Sequence, residues 1–120
     1  IKNKIKHFAG DDMQLIKMYK SASALIYPSK YEGFGLPILE AMTFGCPVVC
    51  SNSSSMPEVG GDAVAYFDPS NIENIKEEIQ KTLYSNSLIL NLKNKGKKRL
   101  NFFSWKKCAL ETMNVYKKLL

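Results

Sequence analysis

From Ala24 to Cys50 the chain reads A-L-I-Y-P-S-K-Y-E-G-F-G-L-P-I-L-E-A-M-T-F-G-C-P-V-V-C, and this stretch decides the fold. Ala24-Leu25-Ile26-Tyr27 is a short, almost wholly apolar run closed by Pro28, the pattern of a strand buried on both faces of a parallel sheet. A loop with two glycines follows, from Ser29 to Leu36. Pro37 then opens, and Gly45 closes, a helix of about two turns, since proline suits a helix's first position and glycine the one past its end. Cys46-Pro47-Val48-Val49-Cys50 is a second short buried strand. Strand, glycine loop, helix and strand in immediate succession make a βαβ unit.

Outward from this core the alternation continues. Upstream, Lys4 to Ala9 alternates lysine with apolar residues and reads as a strand ending at Gly10. Asp11 or Asp12 offers an N-cap to a helix through Lys20. Downstream, Ser51 to Ser55 is a polar loop placed to approach a ligand, and Met56 to Val59 makes one helical turn. Ala63 to Phe67 is a further strand, stopped by Asp68-Pro69. Asn71 or Ser70 caps a helix in which Ile72, Ile75, Ile79 and Leu83 recur at spacings of three and four. A helix from Ser87 to Arg99, interrupted by Gly96, and another from Ser104 complete the chain, the last presenting Trp105 and Tyr116 as packing residues. The expected fold is therefore α/β: a Rossmann-like parallel sheet with helices on both faces, in one domain over residues 1–120 with a helical tail from 71 to 120. Such sheets bind ligands beyond the carboxyl ends of their strands, which directs attention to the loops after Tyr27 and after Cys50.

A chain of 120 residues is enough for one hydrophobic core. Its composition, 45% hydrophobic and 23% charged, is that of a globular protein rather than a disordered one. No run of 18 apolar residues marks a membrane span. The opening IKNKIKHFAG has neither an initiating Met nor the apolar core of a signal peptide, so the sequence reads as an excerpt of a cytoplasmic protein. Cys46, Cys50 and Cys108 lack the spacing of a zinc ribbon or disulfide scaffold and read as free thiols. His7, the sole histidine, reads as a surface or packing residue. From Lys93 onward nine basic residues face one acid, Glu111. Sixteen of the seventeen basic residues are lysines, however, and readers of nucleic acid lean on the fork of arginine. The tail reads as a solvated lysine face, compatible with peripheral contact with a membrane and not with nucleic acid.

The chemistry sits between Glu32 and Glu40. The glycines Gly33 and Gly35 let the backbone bend close to a ligand, and the free N–H groups of the helix's first turn, aligned with its dipole, favour a phosphate. Glu32 precedes the glycines, and Glu40 is placed in the first turn. Carboxylates only accept hydrogen bonds, which suits a ligand rich in hydroxyls. Donors for a diphosphate between two acceptors for sugar hydroxyls describe a nucleotide-sugar site. Other glycine motifs fit poorly: Ile38 stands where the dinucleotide fingerprint needs its third glycine, and no Walker-type lysine follows. A bland alternative remains, in which the glycines make a tight turn and Glu40 only complements the helix dipole.

The run from Tyr27 to Asn52, with E-G-F-G-L-P-I-L-E inside it, resembles the signature of retaining glycosyltransferases of family four. The likeness continues through S-S-M-P-E-V-G-G-D-A, Phe67-Asp68-Pro69 and Phe103-Ser104-Trp105. It implies part of the carboxyl-terminal, nucleotide-sugar-binding domain of a GT-B protein similar to O-antigen mannosyltransferases. By resemblance, Glu32 contacts the donor hexose and carries catalysis, Glu40 holds the ribose hydroxyls, and the backbone of Gly33, Phe34, Gly35 and Leu36 meets the sugar and diphosphate. The reaction implied is retaining hexosyl transfer without metal or cofactor. Its acceptor, a glycan or a lipid-linked sugar at the inner face of the membrane, would meet a domain outside this sequence. Diphosphate-gripping cations, and two strands between Lys4–Ala9 and Ala24–Tyr27, are likewise expected from outside it. The piece alone is expected to be inactive, with an exposed strand edge that invites self-association. A binding module that holds a nucleotide or sugar phosphate without transfer is the alternative.

Overall fold

A computed structural model describes residues 4–120. Six helices and three strands alternate along it: α1 (Asp12–Ser21), β1 (Leu25–Tyr27), α2 (Leu36–Thr43), β2 (Val48–Ser51), α3 (Met56–Gly60), β3 (Ala65–Phe67), α4 (Ile72–Leu83), α5 (Asn86–Arg99), a 3-10 turn (Leu100–Phe102) and α6 (Trp105–Leu119). The strands form a parallel sheet in the order β1-β2-β3, with Leu25 opposite Val48 and Val49 opposite Ala65.

Every residue of β2 is buried, so both sheet faces are covered. Val48 and Cys50 join Ile38, Ala41 and Met42 of α2 and Met56 and Val59 of α3 in one apolar cluster. Val49, Ser51 and Phe67 point the other way, where α4 packs on β2 and β3. The helices start where side chains supply the missing acceptors: Asp11 takes the N–H of Gln14, Asn71 that of Asn74, Ser85 that of Leu88 and Ser104 that of Lys107.

Four expectations change. Lys4–Ala9 joins no strand among the described residues and is exposed. Its alternating pattern had no neighbouring strand to pair with, and a strand without a partner leaves its backbone groups to water. For the same reason β1 is half-buried rather than covered on both faces, since it forms an open edge. Helix α5 runs through Gly96 without a break, because Gly96 is where α5 meets α2: an added Cβ would lie 3.2 Å from Met42 Cγ. Trp105 and Tyr116, expected to pack, are 79% and 58% exposed, because α6 lies outside the core and buries none of its residues. No helix among the described residues is long and apolar enough to cross a membrane. Cys46 and Cys50 are buried free thiols, while Cys108 is exposed on α6.

Candidate functional site

The loop from Pro28 to Gly35 leaves the carboxyl end of β1 and runs straight into α2. Gly35 is the N-cap of α2 at φ +100° and ψ +42°. An added Cβ would meet only Ile38 Cδ1 at 3.5 Å, an ordinary contact, so the backbone angle rather than crowding requires glycine. With no side chain to cap the helix, the N–H groups of Gly33, Phe34, Gly35 and Leu36 find no acceptor among the described residues. These free donors sit at the positive end of the helix dipole.

Glu32 is held from several directions. The Ser29 hydroxyl donates to its Oε1 at 2.6 Å. Ser54 Oγ accepts from the Glu32 N–H at 3.2 Å and donates to the Glu32 carbonyl at 2.8 Å, while Ser55 donates to that carbonyl at 3.2 Å. Ser53 donates to the Lys30 carbonyl at 3.0 Å. The Ser29 hydroxyl, followed by the Tyr27 phenol, holds the Glu32 carboxyl below its ordinary range. Burial first, and the Glu32 carboxylate second, push the Tyr27 phenol up to about 12, with Glu40 adding to the effect. Tyr27 thus stands within electrostatic reach of both carboxylates.

Glu40 is the fifth residue of α2, so it lies one turn in and not in the first turn, which holds no acid. It is therefore a poor dipole partner, because that effect fades within one turn. Its Oε2 accepts from the Tyr19 hydroxyl at 3.0 Å. Burial and this bond raise the Tyr19 phenol well above its ordinary value. Glu40 lines a hollow of about 270 Å³ between α1 and α2 with Asp12, Leu15, Ile16, Tyr19 and Phe44. Glu32 stands on the loop and does not line that hollow. The two carboxylates are thus not brought together in this hollow.

Phe34 meets Phe103 edge-to-face, with ring centroids 6.0 Å apart. Arg99 lies over both Phe102 and Phe103 at 5.2 Å, and its guanidinium donates to the carbonyls of Glu58 and Val59, at 3.0 Å for Val59. The glycine loop is therefore braced through Phe34 and Phe103 by Arg99, which also closes α3. Sequence reasoning missed this brace and the serine clamp. The signal available for the first was a lone arginine among lysines, four residues before an aromatic, since guanidinium stacks where ammonium does not. In the loop after β2, Ser51, Ser53, Ser54 and Ser55 turn hydroxyls onto the backbone of Tyr27, Lys30 and Glu32.

Comparison with known proteins bears on what this arrangement serves. The sequence profile of a family described as "Glycosyl transferases group 1" matches residues 1–99. The chain is 45% identical over 108 residues to the O-antigen chain mannosyltransferase B of Escherichia coli, covering 90% of this chain and 28% of that protein. It is 33% identical over 113 residues to the MMP alpha-(1->4)-mannosyltransferase of Mycolicibacterium hassiacum, covering 91% of this chain and again 28% of the relative. Among solved structures, sucrose-phosphate synthase from Thermosynechococcus elongatus superposes with a TM-score of 0.82 at 26% identity, over 98% of this chain and 30% of that one. The chain thus spans less than a third of the length of these relatives. The parallel α/β sheet agrees with the fold the glycine-loop signature implies, and the profile accounts for most of the sequence: the chain belongs to the glycosyl transferases group 1 family.

Proposed function

We propose that this chain is the donor-binding part of a retaining glycosyltransferase. In this reading the enzyme moves a hexosyl group, mannosyl by the names of its relatives, from a nucleotide-diphosphate sugar to a glycan or lipid-linked acceptor. The observation that carries the reading is the glycine loop, whose four successive N–H groups have no acceptor among the described residues and lead into α2, with Glu32 before them and Glu40 after them in the chain.

Each part has a chemical task. The free amides of Gly33, Phe34, Gly35 and Leu36 donate to the sugar and the diphosphate, and the α2 dipole favours the charge that builds on the departing diphosphate. Glu32, kept ionised by Ser29 and Tyr27, accepts from hydroxyls of the hexose and orients its anomeric carbon for attack on the same face. Glu40, steadied by Tyr19, accepts from the ribose hydroxyls. No metal or cofactor is required in this scheme. Arg99 is committed to the carbonyls of Glu58 and Val59, and in this reading, by resemblance to the family, the cations that grip the diphosphate come from a longer protein. The 120-residue piece should therefore be inactive alone.

The test is nucleoside diphosphate release by the full-length protein, supplied with GDP-mannose or UDP-hexoses and an acceptor. Glu32→Gln should lower kcat by about 10²-fold or more, and Glu40→Gln should chiefly raise KM for the donor. Unchanged kinetics in both variants would refute the assignment, and donor binding without release would support a non-catalytic module instead.

A further inference from the structure

We infer that Ser54 is a positioning residue for Glu32, setting the geometry of the donor site from the loop after β2. The inference rests on the donor-binding reading of Glu32. Among the described residues, Ser54 is the one non-glycine residue with a positive φ, +54°. An L residue persists in that conformation only where its surroundings dictate it. Here the surroundings are Glu32 itself. The Ser54 hydroxyl takes the Glu32 N–H at 3.2 Å and gives its own proton to the Glu32 carbonyl at 2.8 Å, 22 residues away in sequence. One side chain thus satisfies both backbone groups of the residue whose carboxylate meets the donor hexose in the proposed function.

Ser55 adds a second donor to the same carbonyl and Ser53 ties Lys30, so the peptide planes on each side of Glu32 are fixed to the end of β2. That strand is wholly buried, which makes it a rigid anchor. Ser29 then fixes the carboxylate from within the loop. With the backbone pinned by Ser54 and the carboxylate oriented by Ser29, Glu32 retains little freedom. A displacement of about an ångström at a reacting group is enough to cost about 10²-fold in rate. The strained serine therefore acts on transfer through Glu32 without touching the ligand.

The test exploits the conformation. Ser54→Gly removes the hydroxyl and relaxes the backbone, whereas Ser54→Ala removes the hydroxyl and keeps the strain. In the full-length protein both should lower kcat by roughly 10- to 100-fold, although the alanine variant should melt below the glycine variant. Equal losses of rate at unequal stability would separate positioning from a structural role. In a Glu32→Gln background, Ser54→Gly should cost little more, because its effect passes through that carboxylate. Wild-type turnover in Ser54→Gly, with Glu32→Gln crippled, would overturn this inference alone. Additive losses in the double variant would also overturn it. If Glu32→Gln itself left turnover intact, the donor-site reading would fall and the inference with it.

Discussion

At the residue scale, the protonation of Glu32 is decided by two hydroxyl neighbours. Ser29 donates to its carboxylate at 2.6 Å and the Tyr27 phenol stands beside it, so the charged form is favoured and the pKa lies below the ordinary 4.5. A carboxyl whose pKa is depressed in the folded state stabilises the fold above its unfolded pKa, and that contribution disappears as pH falls through the folded value. The window for Glu32 therefore lies below pH 4.5. Ser29→Ala should move the Glu32 titration upward, toward 4.5, and flatten the acid limb of the stability curve. Carboxyl NMR titration of wild type and variant reads the shift directly, and an unmoved Glu32 would show that Ser29 is not its determinant. Tyr27 gives the opposite sign. Its phenol is raised to about 12, so its contribution is intact below pH 10 and fades as pH rises toward 12.

Among elements, the contact between α2 and α5 ties the glycine loop to the helices that follow the sheet. Leu92 of α5 is buried, and one turn later Gly96 brings the α5 backbone against Met42 of α2. A Cβ there would lie 3.2 Å from Met42 Cγ and 3.5 Å from its Cβ, leaving room for a hydrogen but not for a branched side chain. Replacing glycine inside a helix ordinarily gains up to about 1 kcal/mol of propensity. Gly96→Val should nonetheless destabilise by about 1–3 kcal/mol, the cost of overpacking, as measured by urea unfolding. A stabilised variant would mean that α5 slides freely on α2. The displacement would also loosen the Arg99 brace, which begins at the last residue of α5 and reaches Phe34 through Phe103.

The whole molecule measures 58 × 31 × 27 Å. Among the described residues, apolar surface is left without cover in places. One is the β1 edge, where Leu15, Met18, Tyr19, Ala22, Leu25 and Ile26 are among the residues lining a hollow of about 200 Å³. Another is α6, whose Leu110, Met113 and Leu119 are exposed. An unpaired strand edge beside exposed apolar side chains is a template for association. The isolated 120-residue chain should therefore sediment as concentration-dependent oligomers. Met18→Glu, which places a charge in the β1 hollow, should return it toward a monomer. A monomer at high concentration in the wild-type chain would remove the β1 edge as an interface.

What the sequence determined by itself is what depends on neighbours within a few residues. Short apolar runs marked β1, closed by Pro28, and β2, entered through Pro47; Pro37 and Gly45 bracketed α2, and the caps at Asp11, Asn71 and Ser104 set helix starts, because those signals act within a turn or two of the backbone. The two-glycine loop between Glu32 and Glu40 was legible for the same reason. Tertiary structure alone decided which alternating segment became a strand, since Lys4–Ala9 carries the pattern but has no partner among the described residues, while β1 has one on a single side. It also decided what holds the loop. Ser54 meets Glu32 across 22 residues and Arg99 reaches Val59 across 40, contacts that exist only after the sheet has brought distant segments together and that leave no periodic trace in the chain.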